Sequence, residues 1–432
     1  MVAAESRLRG LLGRPLVQNA LSLYGVYAVN YIAPLITVPY LARVLGPASW
    51  GVLAMAQGLG GYLLIVVEYG FSLSATREVA RWRTDRERLA RLLSGVLGAQ
   101  LLLAAVLLPT PILVRLAVPA LRDQPALAWA AYAFAVLQGA NLVWFFQGLE
   151  RLRLVATLDV VAKLIVVVGI FAFVRSPGDA VVVLRLQAAA SLATLTAGWS
   201  LALREVVPRT PSVRGSVDAL RLGWSMFLFR GAVSLYTVGN AFILGFFAAP
   251  AVVGYYAAAE RISKAALGLL GPVSQTLYPR LSHLVQDSWG DAVRLVRASL
   301  RVMAGGGALL GSTIFVFAPV VAQLLLGAAF GPAIPALRVL SLLPPLIALS
   351  NVLGIQWMLP LGLDRPFNGI ILAAGVLNLG LAYLLAPRFG HVGMAWAVVG
   401  AEAFVTGTMY GYLRLRRLHP LHVQATAPGG AA

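Results

Sequence analysis

The sequence predicts an all-α polytopic membrane protein with twelve transmembrane helices, and three observations support this class. The 432-residue chain is 59% hydrophobic and only 12% charged, whereas a soluble protein carries about 25% charged residues. Lys and Arg are concentrated in alternate loops. Long stretches contain no charged residue, namely 15–42, 44–67, 124–149, 231–259 and 302–337. Each is long enough to cross roughly 30 Å of hydrocarbon as a helix.

The distribution of basic residues predicts the topology. Of the 34 Lys and Arg residues, 23 lie in the termini and in every second loop, 5 lie in the intervening loops and 6 lie within the spans. Because positive loops stay in the cytoplasm, both termini are predicted to be cytoplasmic. The net charge of +18 is then explained by loops that contact anionic headgroups. No nucleic-acid partner is expected.

The twelve spans are the apolar runs between these loops, and each ends where a polar or charged loop begins. They are predicted at 16–38, 48–71, 92–114, 126–147, 159–174, 181–203, 223–248, 253–276, 302–323, 337–361, 367–386 and 393–413. The first is too long for a signal-peptide core and is interpreted as a retained helix. The chain has no cysteine and four scattered histidines, so neither a metal site nor a cofactor is expected.

A weak internal repeat divides the chain into halves. Residues 47–56 align with residues 250–259 at an offset of 203, with five of ten positions identical. Two repeated halves with the substrate site between them are a common transporter plan. We therefore expect two six-helix lobes related by a pseudo-two-fold axis around a central cavity. The predicted boundaries are 1–207 for the N-terminal lobe, 208–221 for a cytoplasmic linker, 222–416 for the C-terminal lobe and 417–432 for a disordered cytoplasmic tail.

Charged residues within spans are costly and usually face a cavity or a partner. Six basic and four acidic residues fall in the predicted spans, and both lysines of the chain are among them. The ten residues are Glu68, Asp159, Lys163, Arg185, Arg230, Glu260, Arg261, Lys264, Arg338 and Glu402. The excess of basic residues favours an anionic ligand.

Local pairing offers a second interpretation of several of these charges. Asp159 and Lys163 are spaced i,i+4 and either satisfy one another or serve a cavity. Glu260 and Lys264 have the same spacing, which would leave Arg261 unbalanced. Four other residues lie near predicted span ends and are expected to extend towards the headgroups; they are Arg185, Arg338, Glu68 and Glu402.

Arg230 has no acidic residue nearby in the sequence. A cavity role is therefore preferred for Arg230, Arg261 and Lys264. No GxxxxGK[ST], HExxH or GxSxG scaffold is present. No catalytic residue is assigned, and the chain is expected to be a secondary carrier, not an enzyme or an ATP-driven pump.

Four segments resemble Wzx-type polysaccharide flippases of the multidrug/oligosaccharidyl-lipid/polysaccharide exporter superfamily. Residues 30–51, including Pro39-Tyr40-Leu41-Ala42-Arg43 and Trp50-Gly51, resemble the first-span signature of that family. The other three segments are 68–77, 254–262 and 278–282, which are similar to the end of span two and to the span-eight motif. The likeness covers nearly the whole chain, with the motifs in order.

The resemblance implies a flippase in the bacterial inner membrane that moves undecaprenyl-pyrophosphate-linked oligosaccharide to the outer leaflet for O-antigen, capsule or exopolysaccharide assembly. Membrane lipids, a polysaccharide polymerase and a chain-length regulator are the partners it suggests. Arg230, Arg261, Lys264 and Lys163 are the expected substrate-binding residues, because Arg holds phosphate by bidentate hydrogen bonds. Arg43 and Arg77 are candidates for gating or the lobe interface. Glu68, Asp159 and Glu260 are candidates for ion coupling.

Three alternatives stay open. A drug/ion antiporter of the same superfamily would favour an acidic cavity for cationic drugs, whereas this interior is basic. A lipid II flippase often has additional spans. A polytopic polymerase or lipid-linked glycosyltransferase usually needs a large outer loop, and the predicted outer loops here are short.

Overall fold

The computed structural model describes residues 14–207 and 209–421, with the side chains of 14–32, 152–156, 229, 232, 235, 236, 272 and 275 not described. These residues are almost entirely helical, and no β-strand occurs among them. The predicted all-α class is therefore confirmed. Residues 1–13, residue 208 and most of the predicted tail (422–432) lie outside the described residues.

The described residues of the first half of the chain, from residue 14 onwards, form nine α-helices. They are α1 (Arg14–Glu68), α2 (Phe71–Arg81), α3 (Arg86–Leu107), α4 (Thr110–Ala117), α5 (Pro119–Arg122), α6 (Pro125–Gly139), α7 (Val143–Gly148), α8 (Leu152–Phe173) and α9 (Ala180–Glu205). A non-helical residue, Gly46, with φ 69° and ψ 173°, interrupts α1. This break separates the first two predicted spans, because such a backbone conformation is open to Gly and disfavoured for other residues.

The described part of the second half forms eight α-helices. They are α10 (Val213–Thr237), α11 (Asn240–Leu244), α12 (Pro250–Leu267), α13 (Gly271–Asp287), α14 (Trp289–Val321), α15 (Ile334–Leu340), α16 (Leu343–Ser350) and α17 (Asp364–Leu415). Two π-helical segments follow α14 and α16, at Ala322–Leu326 and Asn351–Met358. Gly390, with φ 55° and ψ −130°, interrupts α17 between the last two predicted spans.

Seven helical segments among the described residues are long and apolar enough to cross a membrane. They are Ala33–Arg81, Arg86–Ala117, Pro125–Gly148, Pro177–Glu205, Trp289–Leu326, Ala328–Met358 and Asp364–Leu415. The chain is thus a multi-pass membrane protein. The remaining predicted spans, numbers five, seven and eight, fall on α8, α10 to α11 and α12 to α13. The count of twelve stays a prediction.

The chain divides into two compact units. The first comprises Met1–Tyr40 and Leu59–Arg230. In it, α9 packs against α6 and α8, and α2 packs against α7. Its core contains a cluster of buried side chains that includes Phe71, Leu93 and Phe145.

The second unit comprises Leu41–Gly58 and Gly231–Ala432. In it, α12 packs against α15 and α17, and α14 packs against α16. Residues 417–421 also belong to this unit, where the Trp357 indole N–H donates to the Leu418 carbonyl at 2.7 Å. The lobes 1–207 and 222–416 stay a prediction, because these units have different boundaries.

The two repeat-like segments of the sequence pack directly against each other within the second unit. A Cβ added at Gly51 would lie 1.8 Å from the carbonyl oxygen of Pro250, and one at Gly254 would lie 2.0 Å from that of Pro47. Both separations are far shorter than van der Waals contact. The close approach of these helix segments therefore requires Gly at both positions.

Candidate functional site

Helix α12 carries three charged residues of the predicted site within five positions. Glu260 and Lys264 lie one turn apart on one face and form an ion pair, with 3.1 Å between Oε1 and Nζ. The same carboxylate oxygen accepts hydrogen bonds from the Asn240 amide at 3.2 Å and from the Tyr256 hydroxyl at 3.1 Å. The Lys264 ammonium also donates to the carbonyl of Thr237 at 2.9 Å. Glu260 is thus held by three donors from two helices.

Arg261 makes its direct contacts with neutral groups, although the neighbouring carboxylate of Glu260 attracts its charge without forming an ion pair. Its guanidinium donates to the Gln57 side-chain oxygen and lies 4.5 Å above the centroid of the buried Trp50 ring. Within the described part of the chain, no carboxylate forms an ion pair with Arg261. The expectation that pairing of its neighbour leaves Arg261 unbalanced therefore agrees with this geometry.

Local sequence explains how α12 presents these groups. Pro250 is at the first helical position, where its missing N–H costs nothing and its fixed φ favours the helix. Gly254 then lets α12 approach the segment that carries Trp50 and Gln57. Arg261 follows Glu260 by one residue and so points about 100° away from it around the helix. That rotation explains why the two neighbours have different partners.

A second cluster lies in the first unit, where Arg230 pairs with Glu68 at 3.0 Å. The Arg230 guanidinium also donates to the Ser72 hydroxyl at 2.6 Å. Glu68 in turn accepts the backbone N–H of Ser72 at 2.8 Å. Its side chain is 16% exposed and that of Arg230 is 40% exposed. The carboxylate is therefore nearly enclosed, while the guanidinium stays accessible.

The turn that positions Glu68 depends on two left-handed residues, Tyr69 with φ 50° and Gly70 with φ 76°. The Tyr69 ring stacks on Phe227 with centroids 4.5 Å apart. A Cβ added at Gly70 would lie 2.6 Å from the Cβ of Met226. Close packing of this turn against α10 therefore brings Glu68 to Arg230.

A third cluster contains Asp159 and Lys163, which form an ion pair at 2.5 Å along α8. The pair lines a cavity of about 450 Å³ within the first unit. Ser191 also lines this cavity and donates to the Gln138 side-chain oxygen at 2.8 Å. The cavity thus combines one charge of each sign with amide and hydroxyl groups.

Arg43 and Arg77 lie outside these clusters. Arg43 donates to the carbonyl of Leu324 in a π-helical segment. The Arg77 side chain is 59% exposed and lies 3.8 Å from the carboxylate of Glu78. Their assignment to gating or to a lobe interface stays a prediction.

Two of the residues expected near headgroups are instead enclosed by protein. Glu402 is 6% exposed and accepts a hydrogen bond from the buried Ser350 hydroxyl at 2.6 Å. Glu68 is enclosed as described above, so the expectation is wrong for both carboxylates. Arg185 is exposed, and Arg338 lies 5.5 Å from the Phe315 ring centroid.

The sequence did not identify the uncharged partners of the predicted residues. They include Trp50, Gln57, Ser72, Tyr256 and Thr237. Trp50 and Gln57 are seven positions apart in a helix, which places them on one face. Their partner is about 200 positions further on, so no local pattern points to the contact.

Comparison with known proteins identifies the family. Residues 16–285 match the family described as polysaccharide biosynthesis protein. A putative O-antigen transporter of Escherichia coli (strain K12) is 30% identical over 403 residues, which is 93% of this chain and 97% of that protein. A putative O-antigen transporter of Shigella dysenteriae is 28% identical over 90% of this chain and 97% of that protein.

Solved structures show the same fold. The lipid II flippase MurJ in an inward closed conformation matches with a TM-score of 0.75 and 13% identity, over 91% of this chain and 87% of that one. A multidrug resistance MATE family transporter of the MOP superfamily, in an inward-facing conformation, matches with a TM-score of 0.62 and 16% identity. That match covers 90% of this chain and 98% of the transporter.

Proposed function

Because the chain belongs to the polysaccharide biosynthesis protein family, we propose that it is a flippase for undecaprenyl-pyrophosphate-linked oligosaccharide. It moves this lipid from the cytoplasmic to the outer leaflet of the bacterial inner membrane, for surface polysaccharide assembly. Two relatives named putative O-antigen transporters match almost the whole chain and support this assignment. The protein acts as a secondary transporter and not as an enzyme, with both termini in the cytoplasm. A polysaccharide polymerase and a chain-length regulator are its expected protein partners.

The observation that carries the proposal is the environment of Arg261. Its positive charge is balanced by no ion pair among the described residues, and its guanidinium is held between an amide and an aromatic ring. Such contacts orient the planar fork and leave its charge for an anion. A pyrophosphate is the group on the substrate that this charge complements.

Each of the other three expected substrate-binding cations pairs with a carboxylate of its own. Arg230 pairs with Glu68, Lys163 with Asp159 and Lys264 with Glu260. These carboxylates are the three ion-coupling candidates. Each predicted coupling acid is thus the partner of a predicted substrate-binding cation.

This pairing provides a mechanism for coupling. A proton or metal cation that binds Glu260 weakens its attraction for Lys264, whose ammonium then becomes available to the pyrophosphate. By linkage, pyrophosphate bound to Lys264 raises the affinity of Glu260 for the cation to the same extent. Alternating access between 1–207 and 222–432 then moves the headgroup, while the lipid tail stays in the bilayer.

The test is complementation of a strain that lacks its own O-antigen flippase. Arg261→Gln keeps a polar side chain and removes the charge, so surface polysaccharide is expected to fall at least tenfold. Arg261→Lys keeps the charge without the bidentate fork and is expected to give an intermediate level. Arg230→Gln and Lys264→Gln are expected to reduce the level as well.

Arg185→Gln is the matched control, since Arg185 is an exposed arginine within a predicted span. This substitution is expected to leave the level of surface polysaccharide unchanged. Expression in the membrane is measured for every variant. If the Arg261, Arg230 and Lys264 variants all give normal levels of surface polysaccharide at normal expression, the proposal of a cationic binding site is wrong.

A further inference from the structure

A second cavity, lined by arginines, lies in the first unit, where α3 meets the start of α10. Its volume is about 740 Å³, within the range of ligand-binding pockets. None of its lining residues belongs to the three clusters above. Its basic residues lie on α3 and in the segment before α10, in parts of the chain that the charge distribution predicts to be cytoplasmic. They are Arg88, Arg91 and Arg209.

The arginines at this cavity outnumber the carboxylates that pair with them. Arg91 and Arg209 share one carboxylate, Glu87, at 3.6 Å and 2.7 Å. One negative charge therefore faces two guanidiniums. Arg88 adds a third guanidinium, which pairs with Asp85 at 3.0 Å. The central carbon of this guanidinium lies 5.7 Å from the centroid of the Trp82 ring.

The two carboxylates that line the cavity are compensated from outside it. Glu78 is buried and pairs with Arg81 at 2.9 Å. Asp218 lies 3.9 Å from Arg221. Neither Arg81 nor Arg221 lines the cavity. The lining therefore keeps a positive excess.

A helix N-terminus opens onto the same cavity. Ser212 precedes the first residue of α10, and its hydroxyl accepts the backbone N–H of Gly215 at 3.1 Å. The first N–H groups of a helix point towards an anion and carry the positive end of its dipole. Gly95 brings this end close to α3, because a Cβ there would lie 2.8 Å from the Gly215 carbonyl oxygen.

An independent observation comes from Ser94, which lines the cavity and is 4% exposed. Its hydroxyl has no hydrogen-bond partner among the described residues. A buried hydroxyl without a partner is unfavourable in the absence of a ligand. An anion that accepts this hydrogen bond would satisfy it.

We infer that this cavity binds a phosphate group carried by a lipid, through Arg91, Arg209, Ser94 and the α10 N-terminus. Basic pockets at the cytoplasmic side of membrane proteins bind lipid headgroups by such contacts. Two lipids supply this chemistry at this face, namely an anionic phospholipid and an isoprenyl diphosphate. A phospholipid site would be independent of the proposed function, whereas an isoprenyl diphosphate site rests on it, because that function supplies the isoprenyl diphosphate.

The experiment measures binding to the full-length protein, purified in a neutral detergent, by ligand-induced shifts of Tm at constant ionic strength. The probes are farnesyl diphosphate, dioctanoyl phosphatidylglycerol and dioctanoyl phosphatidylcholine. At least one of the first two is expected to bind saturably. Arg91→Gln combined with Arg209→Gln is expected to weaken this binding at least tenfold. Arg86→Gln, an exposed arginine of the same helix, is the control and is expected to change it less than twofold.

Ser94→Ala separates a ligand-binding role from a structural one. Since the hydroxyl has no partner, its removal is expected to leave the ligand-free Tm unchanged or higher. It is also expected to weaken the binding of the lipid phosphate several-fold. Tighter binding of farnesyl diphosphate than of phosphatidylglycerol identifies a docking site for the isoprenyl diphosphate, and the reverse identifies a phospholipid site. The inference is overturned if neither anionic probe binds, if phosphatidylcholine binds equally, or if the Arg86 and double variants weaken binding alike.

Discussion

Gly254→Ala tests the close packing of α12 against the segment after Gly46. The added Cβ would lie 2.0 Å from the backbone carbonyl oxygen of Pro47, whereas ordinary contact begins at 3.4 Å. One backbone must therefore move by about 1.4 Å, since no flexible side chain can give way. Overpacking of this kind costs about 1–3 kcal/mol or more. The gain of up to about 1 kcal/mol for Ala over Gly in a helix offsets only part of it.

The expected result is a lower Tm in detergent, measured by intrinsic tryptophan fluorescence. Gly305→Ala is the matched control, because Gly305 lies within helix α14 and an added Cβ meets no atom within 4 Å. That variant is expected to leave the Tm unchanged or slightly raised. A Gly254→Ala protein as stable as the Gly305→Ala protein would refute the close contact.

The reciprocal contact allows a sharper test. Gly51→Ala is also expected to lower the Tm, because its Cβ would lie 1.8 Å from the Pro250 carbonyl oxygen. Both substitutions push the same two segments apart. Once one is present, the second should cost less, so the double variant is expected to be more stable than the sum of the single effects implies. Additive effects would show that the two glycines act at separate contacts.

Three further predictions concern single contacts. Trp50→Leu removes the aromatic face below Arg261, so it should reduce surface polysaccharide more than Trp50→Phe, which keeps a ring. Ser350→Ala removes the 2.6 Å donor to the buried carboxylate of Glu402 and should destabilise the protein by about 1–3 kcal/mol, measured by chemical unfolding in detergent. Arg83 donates a hydrogen bond to Glu150 and forms an ion pair with it at 2.6 Å, and both interactions lower the pKa of Glu150 below its ordinary value of 4.5. Its stabilisation is therefore present above pH 4.5 and lost as the pH falls through the lowered pKa, so the Tm difference between the wild type and Glu150→Gln should shrink below pH 4.5.

The helical class was predictable because its causes are local. Runs of apolar residues need internal hydrogen bonds in a membrane, and a helix supplies them within one segment. Two ion pairs with i,i+4 spacing could be predicted for the same reason, because helical periodicity alone brings the partners together. They are Asp159–Lys163 and Glu260–Lys264.

Partners distant in the sequence were not predictable. Glu68 and Arg230 are separated by 162 positions and Gln57 and Arg261 by 204. Each pair depends on how helices pack, which is decided by glycines such as Gly70 whose role appears only in three dimensions. The enclosure of Glu402 was missed for a related reason. Proximity to a span end suggests headgroups, but the packing of α17 against α16 buries the carboxylate.

The weak repeat gains meaning from the contact between its two copies. Under the sequence alignment, Gly51 corresponds to Gly254 and Pro47 to Pro250. The contact of Gly51 with Pro250 therefore corresponds to the contact of Gly254 with Pro47, and both are present at nearly equal distances. Exchange of residue i with residue j across a contact is the signature of two-fold symmetry. Any two helices that cross at a pair of facing glycines show this reciprocity, because the carbonyl four residues before each glycine lies on the same helix face. The contact is therefore compatible with a repeat, and the repeat itself stays a prediction.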